Sequence, residues 1–421
     1  MNTLYVGIDV SSADLVVCFM DHQGDTLDQE LTVDNSLSGA RTLEKTIIAH
    51  ANAIKAEKIL IGTESTSVYD LHIADFLASS DPLAPLHTSV FRINPRIIKN
   101  FKKSYADTDK TDPDDAFAIA DKLRFGRLPH PYQAHMKHLP LQRLTRYRVH
   151  IVDAIRKETQ CFLMHLFLKY NRFGDVRPFA HTMGATSIAA INDLSAEQLA
   201  DMSLEELTAF VVKHSRNRCK TPTAIAQALK RAARESYRLR PTMAKSVDFI
   251  LASIYRTIAA LKHSLKELDK AIGLEFKAFP NTLISIKGIG PVLAAGIYAE
   301  IPDASRFPSD SKLAKFAGLT WRKIQSGNFT AEETRLTKTG SAYLRYYLVE
   351  AANSLRVHNE EYKAYYSKKF REVPKHRHKR ALVLTARKLI RLVFALLTKK
   401  QLYDPCLRPI HRQANLLAER S

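Results

Sequence analysis

Two apolar runs, TLYVGIDV and LVVCFMD, open the chain with only SSAD between them, which predicts a β-hairpin. A helical spacing of apolar positions follows near 37–55, then a strand at 58–62, a helix near 68–79, a short strand around 88–93, and helices from 95 and from 112. Downstream of about 140 the period turns helical, with RLTRYRVHIVDAIRKETQCFLMHLFLKY as one long candidate. A second runs from Ser246 to Phe276, where Val247, Ile250, Ile254, Ile258, Leu261, Leu265, Leu268 and Ile272 recur at spacings of three and four. Such a seam is either bundle core or a dimer contact. Between the two, residues 172–235 carry Gly, Pro and Asn breaks, and Ser195 and Ser203 stand as caps before helical runs, which predicts a small helical insertion.

The βββαβαβα-like order of the first 130 residues predicts an α/β domain of ribonuclease-H/RuvC-like type, here bounded at 1–135. Long helical, coiled-coil-like arms are expected over 136–278 and a mainly α domain over 279–421, since 421 residues exceed what a single core usually holds. Fold order alone does not carry function, so the chemistry must come from particular residues.

Charge changes the picture. The chain has a net charge of +20, yet residues 1–130 hold 13 Lys and Arg against 19 Asp and Glu, leaving 50 against 24 for the remainder. A downstream excess of that size favours a polyanion partner, with salt-dependent binding, over a small neutral substrate. Four cysteines, Cys18, Cys161, Cys219 and Cys406, are scattered without CxxC spacing, which argues against a zinc site or a disulfide framework and fits a reducing cytoplasm. The run ALVLTARKLIRLVFALL is interrupted by Arg387, Lys388 and Arg391, so a soluble amphipathic helix is expected there and no membrane partner. Met1–Asn2 leads directly into a strand-like run, and no cleavable leader is expected.

Four acids stand in informative settings. Asp9 closes YVGIDVSS and Glu64 follows the apolar KILIG, both at predicted strand ends, while Asp112 and Asp115 lie three apart on one helical face in KTDPDDAFAIADKL. Carboxylates are the ligands Mg²⁺ prefers. Two such ions about 3.5–4 Å apart can clamp the attacking and leaving oxygens of a phosphodiester. The plainer reading is that strand-end and helix-surface acids are solvated. Asp14, Asp107, Asp109, Asp114 and Asp121 are rivals for the same roles, Asp114 the nearest of them.

Two downstream segments add chemistry. In LISIKGIGPVLAAGIYAEI, a Gly-Ile-Gly turn between apolar helical segments predicts a helix-hairpin-helix, with Gly288 and Gly290 exposing backbone N–H groups and Lys287 adding charge. In KLAKFAGLTWRKIQSGNFTAEETRLTKTGSAYLRYYLVEAA, Ser326 sits in a polar turn among Arg322, Lys323, Arg335, Lys338 and Arg345. A serine hydroxyl amid cations is suited to attack phosphorus; a turn serine is the structural alternative, and Ser341, Tyr343, Tyr346 and Tyr347 are rival nucleophiles.

GIDVSS, the Glu of IGTES, KTDPDDA, GIGPVLAAGIYAEI, FAGL, QSG and KTGSAYLRYYLVEAA, in that order, resemble the DEDD transposases of bacterial insertion sequences, a RuvC-like family guided by bridge RNA. The resemblance covers roughly 1–130 and 280–400. It implies that Asp9, Glu64, Asp112 and Asp115 bind Mg²⁺ and that Ser326 forms a covalent phosphoserine link to DNA. It further implies donor and target DNA and a non-coding bridge RNA as partners, a homo-oligomer, and a cytoplasmic, nucleoid-associated location. The chain departs from the family at Thr337-Lys338-Thr339-Gly340-Ser341, where Ser-Lys-Arg-Gly-Asn is usual.

Three other classes compete. A RuvC-like nuclease would use water and leave hydrolysed ends. A sugar or acetate kinase shares the look of GIDVSS, yet no later Asp-x-Gly loop pair is present and the downstream charge is unsuited to a small substrate. A non-enzymatic scaffold would not need the acids at all.

Overall fold

A computed structural model of the chain describes residues 2–65, 68–105, 111–133, 137–280, 282–301, 303–321, 325–326, 329–330 and 336–405. The chain divides into two compact units, Met1–Lys137 and His138–Ser421.

In the first unit β1 (Thr3–Val10), β2 (Asp14–Met20) and β3 (Thr26–Asp34) form an antiparallel meander. The β1–β2 turn is closed by Ser11, whose hydroxyl accepts from the amides of Ala13 and Asp14 at 3.0 and 2.8 Å. The chain then passes through α1 (Leu37–Ala53) to β4 (Lys58–Glu64), through α2 (Asp70–Ala78) to β5 (Ser89–Ile93), and on to α3 (Pro95–Lys102) and α4 (Asp112–Phe125). β4 lies parallel to β1 and β5 parallel to β4, so the sheet is mixed, in the order β3-β2-β1-β4-β5.

The two faces of β1 follow from the alternation of side chains along a strand. Leu4, Val6, Ile8 and Val10 enter a core with Leu43 and Ile47 of α1 and Ile73 and Leu77 of α2. The opposite face carries Gly7 and Asp9, and α4 lies on it. Gly7 and Gly62 are register partners across β1 and β4. A Cβ on Gly7 would stand 2.1 Å from the carbonyl oxygen of Ala116, and one on Gly62 would stand 2.9 Å from Ile119. Helix α4 therefore rests against bare backbone, closer than any side chain would permit. Ala116 and Ala120, small and fully buried, complete that contact from the helix side.

The second unit is mainly helical. Helix α5 (Leu139–Lys169) is followed by α6 (Phe173–Val176), α7 (Ala185–Asp193), α8 (Ala196–Asp201), α9 (Leu204–His214) and α10 (Pro222–Arg234), and then by α11 (Pro241–Glu275). Helices α5 and α11 run antiparallel: Arg148 Nε meets Asp269 Oδ1 at 2.6 Å, and farther along Lys169 Nζ meets Asp248 Oδ1 at 2.8 Å. Of the apolar seam on α11, Val247, Ile254, Ile258, Leu268 and Ile272 are buried. Its first half packs with the insertion, in a core containing Phe162, Leu166, Ile191, Leu207 and Leu229. Ser195 and Ser203 each form a reciprocal capping box, with Gln198 and Glu206.

Beyond them come α12 (Pro291–Glu300), α13 (Asp310–Phe316), the short strands β6 (Gln325–Ser326) and β7 (Phe329–Thr330), α14 (Ala342–His358), α15 (Glu360–Arg371) and α16 (Arg377–Lys399). The base of α11 shares a core with these helices through Leu268, Ile272 and Phe276. One element differs from the expected pattern. Upstream of Gly288 the chain makes a single 3-10 turn, Thr282–Ser285, in place of a helix. Pro280 and Gly288 leave too few residues between them for an α-helix to be favourable, and Leu283 and Ile286 are instead pinned in the core.

Candidate active site

In the first unit, register places Asp9 and Glu64 side by side. Ile8 pairs with Thr63 in the parallel β1–β4 ladder, so the next residue on each strand is an acid at the same sheet edge. Asp9 shares its face with Gly7 and Glu64 with Gly62, two residues on in each case, so both carboxylates point toward the face covered by α4. Helix α4 begins at Asp112, and its capping residue Thr111 accepts from the amide of Asp114.

These acids feel one another. Burial pushes the Asp9 carboxyl above its ordinary value, the charges of Asp115 and Asp112 push it further, and the Val10 amide and Lys102 oppose the shift. Glu64 is raised by burial and then by Asp9 and Asp115, again opposed by Lys102. A cation in their midst relieves such strain, and the protein supplies one: Lys102 Nζ lies 2.5 Å from Asp115 Oδ1.

Several rivals are committed elsewhere. Asp114 Oδ2 accepts from the Thr111 hydroxyl at 2.6 Å, which holds it in the helix cap. Asp121 accepts from Tyr105 at 2.8 Å and from Arg124. Asp14 is exposed at the start of β2. Asp107 and Asp109 lie outside the described residues.

An all-carboxylate donor set fits a hard divalent cation in kind. In geometry it is open: among the described residues no three His, Cys, Asp or Glu side chains are already gathered as a metal-binding group. The Lys102 ammonium occupies Asp115 in this arrangement.

Behind the site, Asp70 at the first position of α2 is fully buried and held in a bidentate pair by Arg92, with Nε–Oδ2 at 2.5 Å and Nη2–Oδ1 at 2.7 Å. Thr63, adjacent to Glu64, donates to the same carboxylate at 3.3 Å. This pair ties the end of β4 to β5 and α2.

In the second unit Ser326 lies on β6, paired with Phe329 of β7. At the base of this excursion Trp321 bridges Leu336, the Thr337 amide donates to Thr320 O at 2.8 Å, and the two threonine hydroxyls are 3.1 Å apart. Arg322, Lys323 and Arg335 lie outside the described residues. Lys338 is exposed, whereas Arg345 donates to the carbonyls of Ala317 and Lys338 at 3.1 and 3.4 Å, so its guanidinium also clamps the loop base.

The rival nucleophiles are largely occupied. Ser341 caps α14 and donates to Glu300 Oε2 at 2.9 Å, and Tyr347 is fully buried with its hydroxyl on Thr145 O at 2.7 Å. Tyr346 is half-buried, with its phenol pushed upward by burial, and Tyr343 lies under the Arg146 guanidinium. Glu300 itself is buried and bridged by Arg146 at 2.7 and 3.1 Å. Lys287 and Gly290 are exposed, while Gly288, at φ +104°, backs onto His358 and Leu355 of α14 and accepts from Ser354 at 2.7 Å.

Sequence reasoning missed Lys102, the paired glycines, Arg92–Asp70 and Arg146–Glu300. The one local signal was Gly two residues before each strand-end acid, in GID and GTE.

Comparison with known proteins places these segments. A transposase profile of the IS110 DEDD type matches residues 6–169, and a profile described as the transposase IS116/IS110/IS902 family matches 281–367. The 44.8 kDa protein of insertion element IS116 from Streptomyces clavuligerus is 22% identical over 416 residues, covering 96% of each chain. The transposase for insertion sequence element IS1111A of Coxiella burnetii is 30% identical over 162 residues, 35% of this chain and 43% of its own. The mini-circle protein of IS117 from Streptomyces coelicolor is 25% identical over 336 residues, 75% of this chain and 76% of its own.

Proposed function

We propose, from the premise that the chain belongs to the IS116/IS110/IS902 family of transposases, that it is an RNA-guided, Mg²⁺-dependent DNA recombinase of an insertion sequence. The observation that carries this reading is the placement of Asp9 and Glu64 on neighbouring strand ends, with Asp115 of α4 raising both carboxyls and Asp112 raising that of Asp9. The sheet order β3-β2-β1-β4-β5 supports a ribonuclease-H/RuvC-like reading of the first unit.

Asp9, Glu64, Asp112 and Asp115 would hold the ions. When bound, divalent cations supply charge stabilisation for the attacking and leaving oxygens of the phosphodiester. The rest falls to the chain itself. Ser326 Oγ attacks phosphorus, its proton passing to solvent, and a serine–phosphorus bond forms as one bridging P–O bond of the DNA breaks. A DNA hydroxyl then attacks the same phosphorus, breaks the serine ester and restores the diester, so no external energy source is needed. Arg345 and the Thr320–Thr337 pair hold the base of the segment that contains Ser326. Donor and target sequences would be read by a non-coding RNA through base pairing, leaving the protein to recognise backbone and shape. A homo-oligomer would let acids of one copy act with the serine of another.

The test is to incubate full-length protein, RNA from the flanking element and labelled DNA with Mg²⁺, then denature. Protein-linked DNA that disappears with Ser326→Ala and with Asp112→Ala supports the reading. Free hydrolysed ends without an adduct would replace it with a water-using RuvC-like nuclease.

A further inference from the structure

The α15–α16 hairpin carries a cationic tip that neither matched family segment assigns, because the downstream match ends at residue 367. Residues 368–380, KKFREVPKHRHKR, contain seven Lys or Arg and a single acid, Glu372. Helix α15 ends at Arg371, helix α16 starts at Arg377, and all of residues 374–380 are exposed.

Part of this charge serves the hairpin. Lys369 and Arg380 converge on Glu372 at 2.7 and 3.6 Å, and Arg377 Nε donates to Val373 O and Pro374 O at 3.0 and 3.2 Å. The rest does not. Arg371, Lys375 and Lys379 are exposed and make no hydrogen bond or ion pair among the described residues, and Lys368, also exposed, acts on Glu372 only through its charge.

Helix stability accounts for only part of this charge: Lys368, Lys369 and Arg371 lie in the last turn of α15, where the dipole favours cations, whereas Arg377, Lys379 and Arg380 fall in the first turn of α16, where it disfavours them. Uncompensated like charges held this close repel, and an external polyanion relieves them.

Shape and chemistry select among polyanions. The turn is braced by backbone-bound Arg377 and by the Tyr366–His378 bond of 2.7 Å, so the cations are presented on a fixed frame. Within residues 368–380 the apolar side chains are Phe370, half-buried under Arg377, and Val373 and Pro374, too few to insert into lipid.

We propose that the tip of the α15–α16 hairpin, through Lys368, Arg371, Lys375 and Lys379, is a sequence-independent binding site for the phosphodiester backbone of nucleic acid. It rests on the function proposed above only for the choice of partner, since neither the acids nor Ser326 take part. Contacts of this kind fix orientation without reading bases.

The experiment compares full-length protein with a variant carrying Lys368→Ala, Arg371→Ala, Lys375→Ala and Lys379→Ala. Binding of a labelled random-sequence DNA duplex and of a labelled RNA hairpin is followed by fluorescence anisotropy between 50 and 200 mM KCl. Each lost phosphate contact lowers the slope of log K against log salt by about 0.9 on duplex DNA, so the slope should fall by roughly 3–4 and affinity by tenfold or more at low salt.

The RNA and DNA arms tell which backbone the tip takes: a slope change in either supports the site. A control variant removes Arg256, Lys262, Lys266 and Lys270, exposed cations of α11, and so matches the change in net charge. Unchanged slopes in both arms, or an equal loss in the control, overturn the proposal. Asp112→Ala protein should bind with the wild-type slope, so failure of the tip and failure of the catalytic reading remain separate results.

Discussion

Lys102 Nζ stands 2.5 Å from Asp115 Oδ1, an ion pair at the acidic end of the first unit that bridges α3 and α4. Both side chains are mostly shielded, so the pair contributes to stability without a divalent ion, on the order of 1–3 kcal/mol. The same ammonium competes with any ion for Asp115. Lys102→Met should therefore lower Tm in chelator and bind Mn²⁺ severalfold more tightly by calorimetry. Weaker or equal Mn²⁺ binding in the variant would show that Lys102 is not the competitor.

The glycine seat under α4 makes a second prediction. Gly7→Ala places a methyl group against the Ala116 carbonyl and so forces the helix off the sheet, whereas Gly62→Ala meets side chains of Ile119 and Leu123 that can yield. Overpacking of a tight contact costs about 1–3 kcal/mol, with Gly7→Ala at or above the top of that range. Denaturant unfolding checks the order. Gly62→Ala proving as damaging as Gly7→Ala would contradict the backbone contact.

Protonation gives a third. Asp9 and Glu64 lie above their ordinary values, so the folded chain holds their protons more tightly than the unfolded chain does. Their stabilising share is fully present below the unfolded carboxylate range, near pH 4, and is lost as pH rises through the folded values. In chelator, the Tm of Asp9→Asn minus that of wild type should be smallest near pH 4 and grow toward neutrality. A difference that is flat or shrinks with pH would falsify the crowding of the acids.

A fourth concerns Glu300. Buried at the end of α12, it joins Arg146 of α5 to Ser341 at the cap of α14. Removing one partner of a buried pair leaves the other uncompensated, so Glu300→Ala should cost on the order of 3 kcal/mol. Replacing both charges, with Arg146→Met and Glu300→Leu, should recover much of that loss. Equal destabilisation by the single and double variants in urea would show that packing, and not charge, holds the junction.

The local elements were legible because they are written at short range. Short strand-like runs marked β1, β2, β4 and β5, and the three-and-four spacing marked α11. Ser195 and Ser203, each followed three residues later by Gln198 or Glu206, marked the capping boxes that the structure contains. Asp9, Glu64, Asp112 and Asp115 stood out for the same reason, as acids at the ends of predictable elements. The segment before Gly288 was misread because apolar spacing alone cannot distinguish a short helix from a pinned 3-10 turn.

By itself, then, the sequence determined the elements, their order, the uneven charge and the candidate acids. Tertiary structure alone decided which acids face one another, that Gly7 and Gly62 together seat α4, and that Lys102 answers Asp115. It likewise assigned Asp114 to a cap, Arg345 to the base of a loop, and Tyr347 and Ser341 to anchoring. These outcomes depend on pairings between residues as far apart as Arg146 and Glu300 or Thr145 and Tyr347. Periodicity reports only which face a side chain takes; what that face meets is set by how separate elements pack.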